Sequence, residues 1–309
     1  MTLENNLDLK TIQNSVAKHK DVQKPITAGL VTSLLWLMFA GNVVYLIVNF
    51  ANMPKWYLGN SFHINGFTIL IWTTVTFFSA IVSSYANSYL KGFRFHSRFM
   101  MLCLGFTLSV MLLVMSNHIL LLLFSWLIMG IFMSQLIGID KTWGEAREAS
   151  KFTQKYFLTG TFFLSMGLLL LVFKSGVFTV SGLSSAVNEL PLYITMISAL
   201  CIIAAAIVQS AIYPFHRWLL SAMTAPTPAS ALMHAGFVNG AGILLALFAT
   251  LLFASDTLTI LFIIGGFTAI IAQFTKLLQV NVKQKLACST IAQMGFMIMQ
   301  CGLGFFNAA

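Results

Sequence analysis

The chain has 309 residues, of which 8% are charged (17 Lys or Arg, 8 Asp or Glu) and 58% are hydrophobic. Soluble domains carry about 25% charged residues, so a soluble globule with a charged coat is excluded. The four cysteines, at 103, 201, 288 and 301, lie in apolar runs with no framework spacing, which excludes a disulfide scaffold. The net charge of +9 comes from basic residues scattered over short loops, not from a nucleic-acid-binding face. With a mean hydropathy of +0.88, the composition is that of a polytopic, all-α membrane protein.

Residues 1–25 are polar and mixed in charge, with no apolar core and small-residue cleavage site, so they read as a cytoplasmic arm and not as a signal peptide. Nine apolar segments follow, at 27–50, 65–89, 98–116, 118–138, 154–174, 192–213, 229–253, 257–276 and 284–306. Each is near the roughly 20 residues a membrane-crossing helix needs. A segment surrounded by lipid must satisfy its own backbone hydrogen bonds, and none alternates as a barrel strand does. With nine crossings the basic residues divide 15 to 2 between the two faces, Lys55 and Lys174 being the two. The positive-inside rule then places the N-terminus in the cytoplasm and residue 309 outside.

The loop 139–155 is the most charged stretch. Glu145, Glu148, Lys151 and Lys155 recur three to four residues apart, which suits one face of a solvated helix extension. The alternative reading is a docking surface or a proton access route.

Ionisable groups at membrane depth are costly and mark function. Glu189 and Asp256 fall at helix ends, so no carboxylate is expected deep in the bilayer. His234 lies in the seventh segment, His216 just after the sixth, and Lys276 closes the eighth, where it can snorkel to the interface. Uncharged polar groups include Gln209, Ser210, Asn239, Ser289, Thr290 and Gln293. Singly, such groups read as interhelical glue. His234 differs, because imidazole titrates near neutral pH and has two nitrogens with which to relay a proton.

Residues 209–242 read QSAIYPFHRWLLSAMTAPTPASALMHAGFVNGAG. Pro214 removes a backbone donor at the end of the sixth helix. Pro226 and Pro228 are expected to force an extended bend before the seventh. Irregular backbone at membrane depth is tolerated only inside protein or along a wet cavity. The segment is therefore expected to line a cavity, with His216 at its mouth and His234 within.

PFHRWLLSAMTAPTPASALMHAG, within that stretch, resembles the signature of the antiporter-like proton-translocating subunits of respiratory complex I and of cation/proton antiporters. KQKLACSTIAQMGFM (283–297) resembles that family's second motif, and residues 64–100 look like its N-terminal module. The resemblance covers roughly 60–309. It implies two inverted five-helix repeats: an N-terminal module at 26–97, a first repeat at 98–253 and a partial second repeat at 254–309. Where complex I subunits carry a Trp-Glu pair and a buried Lys, this chain has Trp126-Leu127 and Gln209. SYLKG (88–92), HAGFVNGAG (234–242) and AQMGFMIMQCGLG (292–304) instead resemble the membrane subunit of the DAB-type inorganic-carbon transporters. That resemblance implies a large zinc-containing partner subunit similar to a β-carbonic anhydrase, driven by protons or sodium moving through this chain.

Three readings are open: an ion-conducting subunit of an inorganic-carbon uptake complex, an antiporter-like subunit of complex I or a cation/proton antiporter, and a non-conducting membrane anchor. The first is preferred. It makes the chain a transporter subunit of the cell (inner or plasma) membrane with no cofactor, no metal and no catalytic residue of its own. His234 and His216 would relay protons, Gln209, Ser210 and Asn239 would hold waters, and Lys276 would lie on the ion pathway. Lys283, Lys285 and Lys151 would face the cytoplasm or the partner.

Overall fold

A computed structural model describes residues 26–50 and 53–306; the arm expected at 1–25 lies outside them. The described chain is almost wholly helical. Helix α1 (Ile26–Val48) leads to a short hairpin, β1 (Trp56–Leu58) and β2 (Phe62–Ile64), whose turn uses Gly59 at φ +59°. Then follow α2 (Gly66–Tyr89), α3 (His96–Met115), α4 (Ile119–Ile137), α5 (Gly144–Ser175), the short α6 (Val180–Ala186) and α7 (Leu192–Gln209). Beyond these come the short α8 (Arg217–Ser221), then α9 (Thr227–Leu232), a π turn (Met233–Phe237), α10 (Gly240–Leu247) and α11 (Ala249–Ala254). The described chain closes with α12 (Leu258–Leu278) and α13 (Val282–Gly302).

Among the described residues, eight helical segments are long and apolar enough to cross a bilayer. The expected count of nine included α13, which has the length but carries Lys283, Gln284, Lys285, Gln293 and Gln300 and is not among the eight. The charged stretch after 143 is a helix extension, one of the two readings given for it: α5 starts at Gly144 and runs 32 residues. Two other expectations are corrected. The sixth helix stops at Gln209, so Pro214 lies five residues beyond its end. The seventh crossing is not one helix but three helical pieces joined by the π turn and by turns at 238–239 and 248.

Neighbouring helices are pinned by hydrogen bonds between small polar groups, as expected where lipid provides no hydrophobic drive for association. Asn42 donates to Thr76, Asn87 to Thr32 and Trp36 to Ser84 between α1 and α2. Thr107 donates to Ser79 (2.7 Å) between α2 and α3. In the hairpin of α12 and α13 the backbones touch: a Cβ on Gly265 would sit 2.5 Å from Met299 N, and one on Gly295 would sit 2.7 Å from Ala269 N. Glycine is required at both places by close approach.

The loops at one end are stitched through Asn117. Its backbone N–H donates to the Ser61 carbonyl (2.8 Å), its carbonyl accepts from Val180, and its side-chain oxygen accepts from the Ser181 N–H (3.0 Å). This joins the hairpin, the α3–α4 link and the segment before α6. The link also brings Lys55 and Lys174 to one end of the bundle. At the other end Ser150 donates to the Ser134 carbonyl (2.6 Å). There Lys151, Lys155 and Arg217 surround a surface cleft together with Glu145 and Glu148.

Candidate functional site

The broken seventh crossing organises the candidate site. Pro226 is extended (ψ 149°), as expected, but Pro228 sits inside the first turn of α9, where its missing N–H is harmless. The break itself lies further on and contains no proline. The Val238 N–H reaches back five residues to the Met233 carbonyl (3.2 Å). The Val238 carbonyl takes its bond from the Ser210 hydroxyl at the end of α7. The Asn239 side chain donates to the Ala235 carbonyl (3.1 Å). A π turn lets helix backbone open without leaving polar groups orphaned, and such turns are frequent at functional sites.

Aromatic packing holds the break in place. Trp218 is fully buried and donates its indole N–H to the Val208 carbonyl (2.9 Å), one of the carbonyls that α7 cannot satisfy within itself. Its ring meets Phe157 at 4.9 Å and Phe237 at 5.9 Å, and Phe157 meets Phe237 at 4.4 Å.

His234 lies in the π turn, half-buried, with Nδ1 3.0 Å from the Thr290 hydroxyl on α13. That hydroxyl is also 3.2 Å from the Leu286 carbonyl. Turned to Leu286, it accepts from an Nδ1–H; turned to His234, it donates to a bare Nδ1. Both imidazole tautomers are therefore accommodated, which a proton relay requires. Beside Thr290, Ser289 accepts from the Lys276 ammonium (3.2 Å). Beside Lys276, the Thr275 hydroxyl is 3.2 Å from the Tyr213 hydroxyl, and Tyr213 stacks on His216 at 3.8 Å. These contacts form separate pairs, His216–Tyr213, Tyr213–Thr275, Lys276–Ser289 and Thr290–His234, on residues that neighbour one another along α12 and α13.

Gln209 is buried against the same break, with its Cγ 3.7 Å from where a Cβ on Gly240 would sit; Trp126 also faces this point. Its side-chain nitrogen has no hydrogen-bond partner. Asn239 and, from α13, Gln293 and Gln300 line a cleft of about 450 Å³ between α2, the break and α13. Ala235 and Gly236 line it too; His234 does not, and neither does His216, which was expected at its mouth. His216 lies in the link before α8. There burial lowers its pKa and the Arg217 charge acts in the same direction. Lys283 donates to the Ala225 carbonyl (3.0 Å), bracing the Pro226 bend, while Lys285 and Lys151 are exposed. Sequence reasoning missed Tyr213, Thr275 and Gln300. Only the tertiary pairing of α12 and α13 with the α7–α8 link gives them a place. Among the described residues, no group of three or more His, Cys, Asp or Glu side chains could hold a metal, and all four cysteines are free and buried.

The profile described as NADH:quinone oxidoreductase/Mrp antiporter, TM, matches residues 116–309, more than half of the chain. The chain belongs to this antiporter-like membrane family. Within it, the chain is similar to a probable inorganic carbon transporter subunit, DabB, of Hydrogenovibrio crunogenus. Identity is 31%, over 88% of this chain and 52% of the relative. It is 33% identical to DabB1 of Halothiobacillus neapolitanus over 83% of this chain and 48% of that protein. NADH-quinone oxidoreductase subunit L of Rickettsia typhi is 27% identical over 99% of this chain and 48% of the relative. The chain therefore spans about half the length of the curated relatives it matches. The fold is shared with a chain of the archaeal membrane-bound sulfane sulfur reductase, with a TM-score of 0.81 at 20% identity, covering 91% of this chain and 60% of the other. The Mrp complex of Dietzia sp. gives a TM-score of 0.75 at 21% identity, covering 90% and 34%.

Proposed function

We propose that this chain is the ion-conducting membrane subunit of an energy-coupled inorganic-carbon uptake complex. Protons, or sodium ions, pass through it and drive carbonate chemistry in a large zinc-bearing partner similar to a β-carbonic anhydrase. The observation that carries this reading is the broken seventh crossing, with His234 bonded to Thr290 beside a cleft lined by Asn239 and Gln293. Discontinuous helices in transporters commonly surround the ion site.

In this reading His234 and His216 relay protons, Lys276 lies on the ion pathway, and Gln209, Ser210 and Asn239 hold waters. Residues 26–97 act as an N-terminal module, 98–253 as the first repeat and 254–309 as part of a second. The basic end, with Lys151, Lys283 and Lys285, faces the cytoplasm and the partner. The DabB relatives and the absence of a carboxylate at Leu127 and of a lysine at Gln209 favour carbon uptake. The similarity to subunit L along 99% of this chain favours the second reading, a proton-translocating subunit of a quinone oxidoreductase.

The two readings differ in what the chain binds. Tagged and purified from its own host in mild detergent, it is expected to bring down one large soluble subunit containing zinc. Recovery with flavin- or iron–sulfur-bearing subunits instead would reject carbon uptake for the quinone-linked role.

A further inference from the structure

A second cleft, of about 840 Å³, opens at the end of the bundle that carries the hairpin. His63, Asn117, Ser181 and Ser184 line its outer part. Phe67, Ile71, Ala246 and Phe306 line both this cleft and the first. The two spaces therefore adjoin along α2 and α10. One end of the pair is at the hairpin end of the bundle, and the other is beside Asn239 and Gln293.

His63 sits at the lip on β2. Tyr57, its partner across the hairpin, stacks on the imidazole at 4.5 Å with the planes 6° apart, which fixes the ring's orientation. Its Nε2 is shielded from bulk solvent and has no hydrogen-bond partner in the protein. Burial lowers the pKa of this imidazole, and the nearby Lys55 charge lowers it further. An oriented ring with an unpaired nitrogen can take a proton there without first breaking a protein bond. The side chains along the route also change in character: polar at the lip, apolar around Phe67 and Ile71, and polar again at the inner end. That sequence suits a wetted passage with one apolar neck.

We infer that the two clefts form a single aqueous access path for a proton or a small hydrated cation, open at the hairpin end, with His63 at its mouth and Asn239 and Gln293 at its inner end. This rests on the ion-conducting reading above, and it adds the face from which the ion arrives and the residue that first meets it.

Thiol labelling tests the path without depending on carbon uptake. All four native cysteines are buried, so the unmodified protein sets the background. Ser61→Cys marks the hairpin end and Lys141→Cys the opposite end, both being exposed positions. Ala246→Cys at the neck and Ala235→Cys at the inner cleft are the probes, each adding little more than a sulfur. In sealed membrane vesicles containing the assembled complex, a charged, membrane-impermeant thiol reagent should label both probes from the same side as Ser61→Cys. His63→Trp, which fills the mouth, should slow labelling of Ala246→Cys at least tenfold. Labelling from the Lys141→Cys side would overturn the path. So would labelling only by an uncharged, membrane-permeant maleimide, which would make the clefts a lipid-facing groove. An unchanged rate in His63→Trp would remove His63 from the mouth. If labelling follows the expected pattern while carbon uptake is absent, the path stands and the uptake function falls.

Discussion

His234→Phe should lower inorganic-carbon uptake by about 10²-fold or more, the scale on which a positioned proton-transfer group contributes, while the complex assembles at normal yield. The substitution keeps a planar ring in the π turn but removes both nitrogens, including the one 3.0 Å from Thr290. If that bond only joined the break to α13, its loss would remove about 0.6–2 kcal/mol, the usual worth of interhelical bonds in membranes. His234→Gln separates the two roles. Glutamine can donate and accept hydrogen bonds but cannot carry a proton at neutral pH. Gln should therefore restore any lost assembly without restoring uptake. Uptake near the unmodified level in an assembled His234→Phe complex would place the relay elsewhere.

Trp218→Ala should destabilise the protein by about 3–5 kcal/mol, the range for deleting a fully buried large aromatic side chain. It removes the ring that packs on Phe157 and Phe237 and also the donor to the Val208 carbonyl. The carbonyl then keeps only the long bond from the Ala211 N–H (3.5 Å), and the lost bond adds about 0.5–1.5 kcal/mol. Trp218→Phe keeps most of the packing and isolates the second contribution. Thermal unfolding in detergent should rank the three proteins as unmodified, then Phe, then Ala. Equal melting of the Ala variant and the unmodified protein would show that the aromatic group does not support the break.

The membrane class and the crossings were legible because each helix must be apolar along its length to sit in lipid. The ends of α2, α4 and α12 fall within two residues of the expected bounds. Hydropathy marks the lipid-facing length, though, and not the helix. The first ten residues of α5 lie outside the apolar segment, and only the three-to-four spacing of Glu145, Glu148, Lys151 and Lys155 marked them as helix. Hydropathy missed the β1–β2 hairpin, although Gly59-Asn60 between WYL and SFHI offers a turn.

The break was misplaced for a different reason. Proline was read as the cause of irregular backbone, yet the opening at 233–239 depends on Ser210 reaching Val238 from another helix. No local pattern encodes that partner, although the small residues of HAGFVNGAG were visible. The site was legible in the same partial way. His234, Gln209, Ser210 and Asn239 do meet around one break. Tyr213 and Thr275 were invisible because their hydroxyls pair across 62 residues of chain.

The central claim is that this subunit conducts the ion that energises carbon capture by a partner. Growth in ambient air of a host lacking its own carbonic anhydrase measures this most directly. Co-expressed with the zinc-bearing partner, the protein should restore growth, and a protonophore or sodium ionophore should abolish the rescue. Expressed alone, it should not. Rescue by this subunit alone, or rescue with the partner that survives collapse of both ion gradients, would contradict the account.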